Sequence, residues 1–257
     1  MHFSNGRTNK ANDIRIEHKC LDCELRGSKF FCDLTAHDIQ LFDAIKVTKA
    51  YPKGTTLFVE GQPSNSVYVL CQGKVKLSTC SPDGKIIILG IAEPGEILGL
   101  SSAINGIEYE ATAETLELCQ VNYVQTGDFV RFLESNSNAC LSVARQLSRN
   151  YHTAYSQICA LGLSESVADK LAKLFLNWSR NSIAIANGNG SAMHLKNFFT
   201  HEEIAEMIGT SRETVTRVLR YFRENEILTL KGSNLVIHDR QRLKSVVGTR
   251  GGVRSGM

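Results

Sequence analysis

The stretch THEEIAEMIGTSRETVTRVLRYFRE, from Thr200 to Glu224, admits few folds. Ile204, Ala205 and Ile208 recur at helical spacing, Gly209 interrupts the pattern, and Val215, Val218, Leu219 and Phe222 resume it. At about 100° per residue, Arg212, Glu213, Thr216, Arg217 and Arg220 fall within one arc of roughly 140° opposite that apolar stripe. The small side chain of Ala205 lets two helices cross closely before Gly209 turns the chain. This is the spacing of a helix-turn-helix whose second helix enters the major groove of double-stranded DNA. A competing reading leaves the basic arc to solvent and uses Thr210 with Glu213 as a capping box. Two short apolar runs follow, Ile227 to Leu230 and Leu235 to Ile237, flanking a Lys231-Gly232-Ser233-Asn234 turn, so a two-stranded wing is expected.

Charge supports the DNA reading. From Ser164 onward there are 14 Lys and Arg against 9 Asp and Glu, whereas the preceding residues carry 15 against 17, so the cationic part contains the helix-turn-helix. No apolar run approaches the ~20 residues of a membrane span and the N-terminus has no signal-peptide core, so a cytoplasmic protein without a membrane partner is expected. In a reducing compartment, eight cysteines point to thiol packing, metal or redox chemistry rather than to a disulfide framework.

Upstream, the pattern predicts an α+β chain. Residues 1–34 form a polar N-terminal arm, disordered to about Ile16, that carries Cys20, Cys23 and Cys32. Residues 35–134 show short alternating runs punctuated by glycine (Thr55 to Val59, Val67 to Leu70, Lys74 to Ser78, Lys85 to Ile91, Leu116 to Val121), the signature of a small antiparallel jelly roll. Residues 135–163 switch to helical period. Cys140, Ala144, Leu147, Tyr151, Ala154, Ile158 and Leu161 form an a/d seam of about three heptads, which calls for a like helix and hence a homodimer. The alternative is that the seam packs on its own barrel. Residues 164–247 hold a further helix (Glu165 to Ser179), a hairpin around Asn187-Gly188-Asn189-Gly190, and the winged helix-turn-helix; residues 248–257 form a disordered tail.

The run Ser211 to Arg217, Ser-Arg-Glu-Thr-Val-Thr-Arg, resembles the DNA-binding signature of the Crp/Fnr family of bacterial transcription regulators. Pro52-Lys53-Gly54-Thr55-Thr56-Leu57-Phe58, with Gly61, Tyr68 and Gly73-Lys74-Val75, is similar to that family's sensory, cyclic-nucleotide-binding-like β-roll. The resemblance runs from Cys20 to about Val247. It implies a β-roll, a long dimerisation helix, a winged helix-turn-helix and RNA polymerase as a partner, and no enzyme activity. Arg212, Glu213 and Arg217 imply a TGTGA-like half-site, rather than the TTGAT read where a small apolar residue replaces that Arg; Thr216 and Arg220 share their arc, and Lys231 in the wing meets phosphate. A cupin-type metalloenzyme is disfavoured independently, because Thr48 to Val121 contains no histidine.

The sensor residues bear on two effectors. A cyclic nucleotide is disfavoured, since no Lys or Arg lies between Ile86 and Val130 and Glu110-Ala111 occupies the positions of the family's phosphate-binding Arg-Ser pair. Cys20 and Cys23, two residues apart, can hold one metal ion or one edge of a cluster. The resemblance to oxygen-sensing Fnr-type members implies a [4Fe–4S] cluster on Cys20, Cys23, Cys32 and Cys119, although the gap from Cys23 to Cys32 is wider than in the best-known member. Zinc, a thiol–disulfide switch or a small-molecule effector are the alternatives. Cys71, Cys80, Cys140 and Cys159 read as small apolar residues of strands and helices.

Overall fold

The computed structural model describes residues 20–27, 30–181, 193–196, 199–232 and 234–247. The expected disorder before Ile16, the Asn187 to Gly190 turn and the tail from Gly248 lie outside the described residues. The chain divides into one unit of residues 1–75 and 92–146 and a second of residues 76–91 and 147–257.

In the first unit, two 3-10 turns, Cys20–Asp22 and Phe30–Cys32, precede helix α1 (Ala36–Ile45), whose N-cap Thr35 accepts from the Asp38 amide. An antiparallel sheet follows with the order β1-β8-β3-β6, where β1 is Val47–Tyr51, β3 Ser66–Gln72, β6 Ile97–Leu98 and β8 Cys119–Gln125. Ser66 to Leu70 is buried without alternation, as expected of a strand covered on both faces. Strand β2 (Thr56–Phe58) pairs antiparallel with β7 (Thr112–Thr115). Helices α2 (Leu100–Asn105) and α3 (Thr126–Ser135) complete this β-roll. Helices α1 and α3 have no counterpart in the sequence reading. In α1 only Asp38, Ile39 and Phe42 are buried, too sparse a stripe to declare a period.

The second unit begins with strands β4 (Val75–Cys80) and β5 (Ile86–Ala92), joined by a turn in which Ser81 N donates to Lys85 O at 2.9 Å. Helix α4 (Ser137–Leu163) is continuous across the unit boundary. Its first turns bury Ala139, Ser142, Val143 and Gln146, and the Gln146 amide clasps both the N–H and C=O of Ile97, at 3.0 and 2.8 Å. The a/d seam lies elsewhere on the helix: Cys140, Ala144, Tyr151 and Ile158 are exposed, Tyr151 at 68 % and Ile158 at 69 %. Ala154 is exposed as well, whereas Leu147 and Leu161 are partly buried.

Helix α5 (Val167–Asn181) buries Leu171 and Phe175, and partly buries Val167, Leu174 and Trp178, against helices α6 (His201–Ile208) and α7 (Arg212–Glu224). The wing has three strands rather than two. Strands β10 (Leu228–Lys231) and β11 (Asn234–Ile237) form the expected ribbon, and β9 (Met193–Lys196) adds to β11 with Leu195 opposite Leu235. Helix α8 (Arg240–Val246), unexpected from the sequence, seats Leu243 in the same core.

The capping reading is corrected at one position. Gly209, left-handed at φ 65, and Thr210 both send their amides to Ala205 O, which keeps Thr210 in the turn. The extended residue is therefore Ser211, and it caps α7 by accepting from Thr214 N. The reciprocal capping box sits one helix earlier, between Thr200 and Glu203.

Gly73 closes the turn after β3 at φ 90, and a Cβ there would lie 2.6 Å from Cys119 Sγ and 2.7 Å from Leu118 O. Gly54, at φ 78, would place a Cβ in open space. Both alanine variants incur left-handed strain, but only Gly73→Ala adds a backbone clash. In urea unfolding it should cost about 1–3 kcal/mol more than Gly54→Ala; equal losses would mean that the turn yields freely.

Candidate functional site

A pocket in the first unit is lined by Cys20, Cys23, Cys32 and Cys71 together with Phe31, Leu34, Ile39, Phe42, Val69 and Asn122. Two local devices bring the arm here. Cys23 N donates to Cys20 O at 3.3 Å, so the Cys20–Cys23 turn presents both sulfurs to one place. Phe31 is 3 % exposed and meets Phe42 edge-on at 5.0 Å, with Phe129 and Phe132 of α3 at 5.8 and 6.1 Å. That aromatic anchor returns Cys32 to the other two thiols despite the wide gap in sequence.

Cys20 is held most closely. The Asp43 carboxylate accepts from its backbone N–H at 3.3 and 3.4 Å, while Lys46 Nζ donates to its sulfur at 3.1 Å and Asn122 Nδ2 at 3.4 Å. Lys46, its side chain 3 % exposed, also pairs with Asp43 at 3.0 Å. Burial pulls the Lys46 ammonium down, but the Cys20 sulfur and Asp43 outweigh it and leave it above its usual value. Burial pushes the Cys20 thiol up, partly offset by Lys46. Cys32 is pushed up to about 12, by burial first and then by the Cys23 and Cys20 sulfurs; Cys71 is raised by burial and then by Cys20 and Cys32. Raised values keep these groups as neutral thiols near pH 7, so a metal ion taken up here must displace protons. Among the described residues no three His, Cys, Asp or Glu donors stand close enough to hold a metal ion without movement. The thiols share a wall, and ligation requires the arm to close on it.

Of the four sequence-predicted ligands, the structure brings Cys20, Cys23 and Cys32 to this pocket and places Cys119 elsewhere. Cys119 is fully buried, with its Sγ donating to Lys74 O at 3.3 Å and Glu117 O at 3.4 Å beside Gly73. Along β8, Asn122 faces the pocket, and Cys119, three residues away, falls on the opposite face. Cys71, which the sequence places among the packing residues, also lines the pocket.

Where a cyclic nucleotide-type cassette would lie, Gly99 caps α2 in the left-handed conformation, and a Cβ there would sit 2.8 Å from Tyr109 Cε1. Tyr109 stacks on Phe58 at 4.1 Å and donates its hydroxyl to Ser66 O at 2.7 Å. An aromatic ring therefore fills this end of the roll, with Glu110 exposed beside it.

In the second unit, Arg212, Glu213, Thr216, Arg217 and Arg220 are exposed along α7, and Val215, Val218, Leu219 and Phe222 are buried beneath them. Glu213 is not tied to Thr210. Its own amide and the Ser211 hydroxyl, with Arg212 adding, hold its carboxyl below the usual range, so it remains an ionised acceptor. Thr216 is less available, because its hydroxyl donates to Arg212 O at 2.9 Å and lies 2.9 Å from His201 Nδ1. His201, which the sequence reading did not single out, thus braces α6 against the reading face. Lys231 ends β10 at the exposed wing turn. Among the described residues no helix is long and apolar enough to cross a membrane.

Comparison with known proteins matches residues 48–136 to a cyclic nucleotide-binding domain model and residues 169–246 to a Crp-like helix-turn-helix domain model. The CRP-like cAMP-activated global transcriptional regulator of Mycobacterium tuberculosis is 26 % identical over 193 residues, covering 75 % of this chain and 84 % of that protein. The transcriptional activatory protein AadR of Rhodopseudomonas palustris is 26 % identical over 224 residues, 87 % of this chain and 91 % of its own. Among solved structures, FixK2 from Bradyrhizobium japonicum superposes with a TM-score of 0.67 at 22 % identity, over 80 % of this chain and 98 % of that one. At such identity the superposition speaks for the fold alone.

Lys46 is the hinge of the polar network, so its loss should be felt locally. Lys46→Met leaves Asp43 without its cation and Cys20 without its closest donor, and should destabilise by about 1–3 kcal/mol in urea. Lys49→Met, at an exposed position on β1, should stay within about 0.5 kcal/mol of wild type.

Proposed function

Because the chain belongs to the Crp/Fnr family of DNA-binding transcription regulators, we propose that it is a cytoplasmic homodimer that binds an inverted repeat and is gated by a [4Fe–4S] cluster held in the cysteine pocket. Members of this family are regulators, not enzymes. The observation that carries the gating is the convergence of Cys20, Cys23 and Cys32 on one pocket from a polar arm that has no core of its own to fill.

The donor set suits the group. Thiolates are the ligands of iron–sulfur clusters, and the negative charge they would gather meets the Lys46 ammonium and the Asn122 amide, both already donating to Cys20. When bound, such a cluster supplies an oxidant-sensitive centre. The protein's own part is to hold the arm against α1, whose Ile39 and Phe42 line the pocket and whose Asp38 accepts from Asn138 Nδ2 in the first turn of α4 at 3.4 Å. Closing the arm would thereby bias the helix that carries the exposed seam. Ala144, Tyr151 and Ala154 interrupt that seam, which suits marginal association that a coupling of about 1–3 kcal/mol can tip. A cyclic nucleotide is a poor effector here, since Tyr109 stacks on Phe58 at this end of the roll and the stretch from Ile86 to Val130 holds no Lys or Arg to meet a phosphate.

On DNA, Arg212 and Arg217 each suit a bidentate contact to guanine O6 and N7, and ionised Glu213 suits cytosine N4, which favours a TGTGA-like half-site repeated about 34–36 Å away. RNA polymerase is the expected partner of the bound dimer.

Protein isolated without air should be brown, contain iron and sulfide, and sediment with more dimer than the same protein after bleaching in air. Colourless protein holding one zinc ion, or equal dimer fractions in both states, would replace cluster gating by the zinc or thiol reading. Selection from random duplexes should return a G·C pair at the positions assigned to Glu213 and Arg217; a motif lacking it would sink the specificity. Arg217→Ala should cost about 1–3 kcal/mol and relax one base pair, whereas Lys231→Ala should weaken all sequences alike and flatten the salt dependence by about one unit.

A further inference from the structure

Cys71 sits at an irregularity in the sheet. Strands β3 and β8 pair regularly from Ser66 opposite Gln125 to Leu70 opposite Val121, and the next pair is Gln72 opposite Gln120. Two steps on β3 match one step on β8, so Cys71 is the inserted residue of a β-bulge. Val69 and Asn122, directly paired, both line the cysteine pocket, which fixes the pocket face of this pair of strands. In a flat strand Cys71 would share that face by alternation with Val69; the bulge bends the strand there and leaves the residue without a cross-strand partner. A bulge is a common device for aiming a side chain at a site. Cys119 lies past the other end of the same irregularity, on the far face, with its Sγ on Lys74 O and Glu117 O.

We infer that Cys71, not Cys119, is the fourth member of the thiol set, so that Cys20, Cys23, Cys32 and Cys71 together bind one soft-metal centre at the β3 bulge. The assignment deepens the reading of the pocket given above and rests on it for the identity of the group, but not for the identity of the ligands. Two observations point the same way. The four sulfurs line one pocket that excludes Cys119. Bringing Cys119 to the arm would require reversing a buried strand residue of β8, whereas bringing the arm to Cys71 moves only the segment before α1. The chemistry follows from the donors: each thiol gives its proton to solvent as the metal–sulfur bond forms, with no change of oxidation state, and an all-thiolate set selects Zn²⁺, Co²⁺ used as its probe, or an iron–sulfur cluster over hard cations.

The test uses the full chain, reduced and freed of metal, in two measurements. The first titrates Co²⁺ against wild type, Cys71→Ser and Cys119→Ser, reading the sulfur-to-metal charge-transfer bands that scale with the number of thiolates bound. Wild type should show four thiolates per Co²⁺ and Cys119→Ser the same. Cys71→Ser should show three and bind more weakly by more than the ~10–100-fold that loss of an outer-shell partner costs. The second needs no variant: native alkylation with and without Zn²⁺, read by peptide mass spectrometry, should find Zn²⁺ protecting Cys20, Cys23, Cys32 and Cys71 and leaving Cys119 unchanged. Loss of a thiolate in Cys119→Ser but not in Cys71→Ser, or labelling of Cys71 indifferent to Zn²⁺, overturns the assignment, and so does wild type that binds no Co²⁺. Anaerobic reconstitution with iron and sulfide separates the two claims. Four thiolates on Co²⁺ with no cluster formed would remove the cluster and keep the ligand set; a cluster that survives Cys71→Ser and is lost in Cys119→Ser would keep the cluster and remove Cys71.

Discussion

The antiparallel pairing of β3 with β8 is the constraint on which the sensory unit depends. Its two faces do different work. On one, Leu70 and Val121 are wholly removed from water and hold the roll together; on the other, Val69 and Asn122 form the floor beneath the cysteine arm. Because side chains along a strand alternate, a shift of one residue in this register would exchange the two sets, exposing the core and burying the amide that meets Cys20. Burial on both faces fixes the register, and the one place where it slips is Cys71.

Above that floor, the arm is held by few but specific interactions. Phe31 supplies the apolar anchor, in a cluster with Phe42, Phe129 and Phe132 that ties α1 to α3. Asp43 and Lys46, one turn apart at the end of α1, grip the backbone and sulfur of Cys20. Charge is thereby placed beside the thiols on a rigid helix, while the thiols themselves ride on short 3-10 turns. Such an arrangement puts the thiols on short turns and the groups that would answer their ionisation at the end of a regular helix.

The DNA-binding unit shows the opposite economy. Its exposed basic face is built entirely on regular helices: Ser211 sets the start of α7, Gly209 sets the turn before it, and four buried side chains fix the rotation of the helix about its axis. Arg212, Glu213 and Arg217 are exposed as a consequence of that burial. His201, bonded across to Thr216, ties the first helix to the second at the edge of the face.

Periodicity was enough to find α4, α5, α6, α7 and the wing ribbon, because amphipathic helices and hairpins declare themselves over a few consecutive residues. The exposed arc of α7 was legible for the same reason, as was the proximity of Cys20 to Cys23. Resemblance, not geometry, suggested Cys119. What tertiary structure decided were the relations among residues far apart in the chain: that Phe31 would bring Cys32 back, that Lys46 and Asn122 would meet one sulfur, that β9 would join the wing and that α8 would close its core. Cys71 is the clearest case. In sequence it sits within an apolar strand like any buried thiol, and only the pairing of β3 with β8, two segments some fifty residues apart, puts its face of the strand beneath the arm and leaves it unpaired at a one-residue mismatch. Register between distant strands is set by which faces can be buried together, and no local pattern records it.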